Sequence, residues 1–140
     1  MKKSIVILGS ILISLVLSSC GIFSEGSGAN LNGTTWTLES YGGKSLIGNT
    51  AMTANFKSAE ISGSTGCNHY FGAYQTKGDQ ITVEGLGWTE MACMDPEGIM
   101  KQEQTIMSLL SRATSYRIEG SKLYLQIASG EELIFLSLDN

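Results

Sequence analysis

Basic residues are scarce. Nine Lys and Arg stand against 13 Asp and Glu in 140 residues, a formal net charge of −4. A surface of that sign repels phosphate backbones, which argues against nucleic acid as a partner. Histidine occurs once, at His69, and cysteine three times, at Cys20, Cys67 and Cys93, with no Cys-x-x-Cys or His-x-x-x-His spacing to set a coordination geometry. Proline also occurs once, at Pro96, against 17 Gly, and the glycines sit at turns rather than in a phosphate-binding loop between strand and helix. The chain is too short for two full-sized domains. Its 42% hydrophobic content and short charge runs exclude a mainly disordered polymer. What remains is one compact domain, with no repeat of fixed period.

The first twenty residues read as an address. Met1-Lys2-Lys3 is a short basic start, and Ile5 to Leu17 is an apolar run interrupted only by Gly9, Ser10 and Ser14. The run falls short of the roughly 20 residues a helix needs to cross a bilayer. It ends in Leu17-Ser18-Ser19-Cys20, which resembles the lipobox of bacterial lipoprotein signals. That resemblance implies diacylglyceryl attachment to Cys20 and cleavage before it; the alternative is an uncleaved anchor with an incidental Cys. Loss of residues 1–19 would leave 7 basic and 13 acidic residues, so lipid rather than charge would hold the domain at a membrane. Gly21 in place of Asp after the lipidated Cys implies the outer membrane, facing the periplasm, in a Gram-negative host. Residues 20–30, containing GIFSEGSGAN, read as the lipidated Cys and a flexible tether, and residues 31–140 as the domain.

From Leu31 the pattern is strand, turn, strand. Thr34 to Ser40 places Trp36 and Leu38 on one face, and runs at 51–56 and 60–64 follow. Residues 69–76 and 80–84 form a hairpin about Lys77-Gly78-Asp79, with Ile81 and Val83 inward; Leu86 to Met91 is a further short candidate. Asp95-Pro96-Glu97 signals a helix start, with Asp95 as N-cap and Pro96 at the first helical position. Ile99, Glu103, Ile106, Leu110 and Ala113 then recur at spacings of 4, 3, 4 and 3, predicting an amphipathic helix over about 96–113. Three strands near 116–118, 123–127 and 133–136 complete the chain. The expected class is mainly β, a small antiparallel barrel, closed or cracked, with one helix.

In an oxidising compartment Cys67 and Cys93, 26 residues apart, are expected to pair. Free buried thiols, and redox or metal chemistry, stay open as alternatives. Around these cysteines, Ile61-Ser62-Gly63-Ser64-Thr65-Gly66-Cys67-Asn68-His69-Tyr70-Phe71-Gly72-Ala73-Tyr74, then Ile81-Thr82-Val83, then Trp88-Thr89-Glu90-Met91-Ala92-Cys93, resemble the signature of the META domain, the family of the heat-shock lipoprotein HslJ. The opening Gly33-Thr34-Thr35-Trp36-Thr37-Leu38 extends the resemblance. It implies a closed or cracked barrel with a helix, in envelope lipoproteins linked to stress and antibiotic tolerance, with no established reaction and a likeness to the partner-binding pilotins. Where the family carries a basic residue before Met-Ala-Cys, this chain has Thr89-Glu90, so no role of that base carries over.

A catalytic constellation is not visible. His69 lies two residues from Cys67, about 6.5–7 Å along an extended strand, too far for direct proton transfer. A bridge would remove the nucleophile altogether. Asn68 beside Gly66 reads as a turn residue. Asn68, His69, Tyr70 and Trp88 are the candidate motif or binding residues, although aromatic residues on strands more often fill a core. Met91, Cys93 and Met94 with His69 form a soft-ligand set that would suit Cu(I), the alternative to a binding role. The expectation is a monomeric, non-enzymatic, lipid-anchored domain without a cofactor that binds an envelope protein or an amphiphile.

Overall fold

The structure is a computed structural model that describes residues 28–139. The expected signal segment 1–19, the expected lipidation site Cys20 and residues 21–27 of the expected tether lie outside the described residues. Nine strands and one helix follow in order: β1 (Thr34–Tyr41), β2 (Lys44–Ser45), β3 (Thr53–Lys57), β4 (Glu60–Ser64), β5 (His69–Lys77), β6 (Gln80–Trp88), α1 (Ile99–Leu110), β7 (Ala113–Glu119), β8 (Lys122–Ile127) and β9 (Glu132–Ser137). All strands but β2 run in an antiparallel meander, and β1 pairs with β9 to close an eight-stranded barrel. The two-residue β2 folds back on the end of β1 and had no counterpart in the sequence pattern.

Alternation builds the core. Trp36 and Leu38, Ala54 and Phe56, Ile81 and Val83, Leu123 and Leu125, and Leu133 and Phe135 all point inward and are buried. Closure satisfies the strand edges of β1 and β9, which pair from Trp36–Ser137 to Tyr41–Leu133 across one register shift. The seam between β6 and β7 is different: its ladder consists of Gln80 opposite Ser115, extended by Tyr116 N–H donating to Asp79 O. β7 overlaps only the start of β6, so the rest of β6 has no strand on that side. The barrel is closed around most of its girth and cracked along one edge.

Two strand expectations merge. Residues 86–88 belong to β6 rather than to a separate strand, because a register shift opposite Phe71–Ala73, with Gly85 at φ 62°, reverses the alternation. Ile81 and Val83 face inward before it; Leu86 and Trp88 share the face of Tyr70 after it.

The helix is shorter than its pattern. α1 begins at Ile99 with Gly98 (φ 88°) as N-cap, so Asp95 does not cap it and Pro96 is not its first residue. Residues 96–99 instead form a turn in which Ile99 N–H donates to Pro96 O. At the other end Ala113 is already in β7. The stripe of Ile99, Glu103, Ile106 and Leu110 is buried as its spacing predicts, widened by Gln102, Met107 and Leu109. Gln102 ties α1 to the preceding loop, accepting from Ile47 N–H at 2.8 Å and donating to Thr50 Oγ1 at 3.0 Å.

The domain also starts earlier than residue 31. Tyr116 Oη donates to Ala29 O at 2.7 Å, and Gly28 packs so closely on Gly78 O and Tyr116 Oη that no Cβ fits there. Residues 28–30 therefore lie on the barrel rather than in a free tether.

Candidate functional site

At the cracked end, the chain leaving β6 passes the turn between β4 and β5, and α1 lies across both. Thr65 to Asn68 form a tight turn, with Thr65 N–H donating to Asn68 O at 2.8 Å and Gly66 at φ 103°. Cys67 in that turn is bonded to Cys93, with Cα atoms 6.1 Å apart. Of the three states open for these cysteines, the bridge is the one present, and it fastens residues 91–93 against the β4–β5 turn.

Asn68 is the hub beneath the bridge. It is 1% exposed, and its side-chain oxygen accepts from Met91 N–H and Thr89 Oγ1, each at 2.8 Å. Its amide nitrogen donates to Glu103 Oε2 at 2.8 Å, and its backbone N–H donates to Glu103 Oε1 at 2.8 Å. The Thr65 hydroxyl also hydrogen-bonds to Glu103 Oε1. One amide thus joins the β4–β5 turn, the segment after β6 and the helix. The turn expected at Asn68 is present, but most of its bonds are long-range.

Glu103 was legible only as a member of an apolar stripe. It is 4% exposed and accepts three hydrogen bonds, which meet the requirement that a buried carboxylate be compensated. A charged residue at a helical spacing otherwise held by Ile and Leu was the available signal for a buried polar network.

Between α1 and residues 88–92 lies a cleft of about 310 Å³, with Glu103, Asn68 and Thr65 in its lining, Trp88 and Met91 on one wall and Met100 and Met107 on the other. A groove of about 550 Å³ adjoins it between α1 and Gly85–Leu86, sharing Trp88, Gln104 and Met107. The groove runs along the stretch of β6 that lacks a strand neighbour.

The candidate residues separate. Asn68 and Trp88 meet at the cleft. Tyr70 does not: it is 2% exposed, donates to Thr53 O at 2.9 Å, and burial pushes its phenol well above the ordinary range. His69 is exposed on β5, where its backbone N–H donates to Thr89 Oγ1 at 3.1 Å. Of the soft-ligand set, Cys93 has its sulfur in the bridge, Met94 is 88% exposed, and Met91 is at the cleft wall. Among the described residues no group of three His, Cys, Asp or Glu converges as a metal site would require. Trp88, read by default as core, is 46% exposed although it stands opposite Tyr70 on the same face, because the barrel wall beside it is open.

The disulfide, the Asn68 hub and the barrel are the physical content of the Gly-Cys-Asn and Met-Ala-Cys segments, and the META domain matches residues 29–140. The chain belongs to the META domain family. This META domain is similar in fold to a protein from Burkholderia xenovorans known by NMR, at 23% identity over 79% of this chain and 85% of that one, with a TM-score of 0.67. A second NMR structure is 26% identical over 78% of this chain and 94% of its own, with a TM-score of 0.62. The crystal structure of a DUF4847 family protein from Bacteroides vulgatus shares the fold at 14% identity over 81% and 94%, with a TM-score of 0.54. No curated protein matches the chain.

Proposed function

We propose that this META domain is a lipid-anchored, non-enzymatic binding module of the cell envelope, whose α1 cleft takes an amphiphile or an apolar segment of a partner protein. The observation that carries the reading is the unfilled cleft itself. Trp88 and Met91, 46% and 50% exposed, stand at a concave site continuous with the adjoining groove, where a solid core would have covered them. The bonding around it supports binding rather than turnover: the carboxylate is held by three donors, and the flanking sulfurs are joined to each other. The Leu17-Ser18-Ser19-Cys20 segment supports the anchor, and the family resemblance supports a role in stress or antibiotic tolerance.

A photo-crosslinking residue in place of Gln104, which borders both cleft and groove, tests this in the exported chain. It should capture a discrete partner or amphiphile in envelope fractions, and Cys20→Ser should abolish that capture. Equal capture by the unlipidated form would remove the anchor from the function; no capture by either would remove the cleft.

A further inference from the structure

We propose that the cleft selects a cation, an organic ammonium carried on an apolar body. The proposal rests on the reading of the cleft as a binding site and names the chemistry of what fills it.

Two carboxylates line the cleft, Glu103 in its depth and Glu90 on its exposed wall, and neither Lys nor Arg is among its lining residues. The ion pairs of the described residues lie elsewhere, at Arg112–Glu131, Arg117–Glu119, Arg117–Glu132 and Lys122–Glu39. Glu103 is therefore a carboxylate more than nine-tenths buried, facing a cavity, with hydrogen bonds but no counter-charge. Its two oxygens are unequally used. Oε1 takes both Thr65 and the Asn68 backbone, whereas Oε2 takes only the Asn68 amide, which leaves acceptor capacity for an ammonium N–H.

The rest of the cleft suits the same ligand. The half-exposed indole of Trp88 lines the cleft, an aromatic of the kind that attracts organic cations, and Met91, Met100 and Met107 supply soft apolar walls. Through Trp88 and Met107 the cleft opens into the groove floored by Leu86, where an alkyl body would run. An anionic head would meet Glu90 and Glu103 with no cation among the lining residues to offset them, and a neutral head would forgo the charge-assisted bond that Oε2 can still accept.

The test uses the full chain as Cys20→Ser, which carries no lipid of its own, titrated with dodecylammonium, dodecyl maltoside or dodecyl sulfate below micelle concentrations. The Trp88 indole N–H is followed by NMR, with the Trp36 indole, bonded to Thr34 Oγ1 at 2.7 Å, as internal reference. Dodecylammonium should shift Trp88 with an affinity about tenfold or more above dodecyl sulfate. Glu90→Gln should reduce that preference about two- to fivefold, while Glu84→Gln, an acid on β6 outside the cleft, leaves it unchanged. Equal affinity for all three amphiphiles overturns charge selection and leaves cleft binding standing; no shift with any of them overturns both. A preference that Glu84→Gln and Glu90→Gln weaken alike belongs to the net charge of the domain and also overturns the proposal. Glu90 makes no hydrogen bond or ion pair among the described residues, so its variant tests the charge without removing the Asn68–Glu103 network.

Discussion

At the residue scale, Asn68 shows how a short motif conceals a long-range role. Its neighbours Gly66 and Cys67 make it read as a turn residue, and it does close a turn, yet its side chain also holds Met91, Thr89 and Glu103 from two other segments. No pattern in the sequence pairs an amide at 68 with a carboxylate at 103. Asn68→Ala removes one of the three donors to the buried Glu103 carboxylate and the acceptor of Met91 N–H and Thr89 Oγ1, and is expected to destabilise the domain by about 3 kcal/mol. Urea unfolding should show this as a lowered midpoint at unchanged slope. A loss under about 1 kcal/mol would mean that solvent reaches Glu103 freely. Trp88 and Tyr70 teach the complementary lesson. They face each other across β5 and β6, and alternation gives both the same interior side. Only the absence of a wall beside Trp88 separates them, and that is a property of the barrel rather than of either residue.

At the element scale, most strands were legible because alternation and turn chemistry agree, as in the β5–β6 hairpin around Lys77-Gly78-Asp79. β6 was split in two by its own bulge at Gly85, since a reversed phase looks like an ending. The start of α1 lies later than its local signals suggest: Asp95-Pro96-Glu97 carries the marks of a cap, while Gly98, in the left-handed region, makes the actual entry. The open edge of β6 has an observable consequence. Thr89 N–H donates to His69 O at 3.0 Å, so by alternation the backbone groups of Trp88 and Leu86 point away from β5, toward the crack. Hydrogen exchange should find these two amides less protected than those of Tyr70 and Tyr74, which lie on a strand paired on both sides. Equal protection would indicate that the crack is closed in solution.

At the scale of the whole molecule, closure of the barrel could be anticipated from the number of short strands, but the crack could not, because it depends on how far β7 slides past β6. The Cys67–Cys93 bridge closes a 26-residue separation that contains the β5–β6 hairpin and the wall of the cleft. The double variant Cys67→Ser, Cys93→Ser should lose about 3.5 kcal/mol in the chain-entropy account, a large share of the roughly 5–15 kcal/mol of a typical domain. Thermal unfolding of the two forms measures the difference, and unchanged stability would show that the Asn68 hub alone holds the wall.

Gly28 meets the barrel at Gly78 and Tyr116, beside the first residues of β6, whereas Trp88 is the last residue of that strand. About seven paired steps of extended chain, one bulge aside, separate these two poles by about 23 Å. On the proposed anchoring, the chain enters the domain at the pole opposite the mouth. A guest would be received at the pole remote from the point where the chain joins the barrel, so occupancy of the mouth and the attachment of the chain need not interfere.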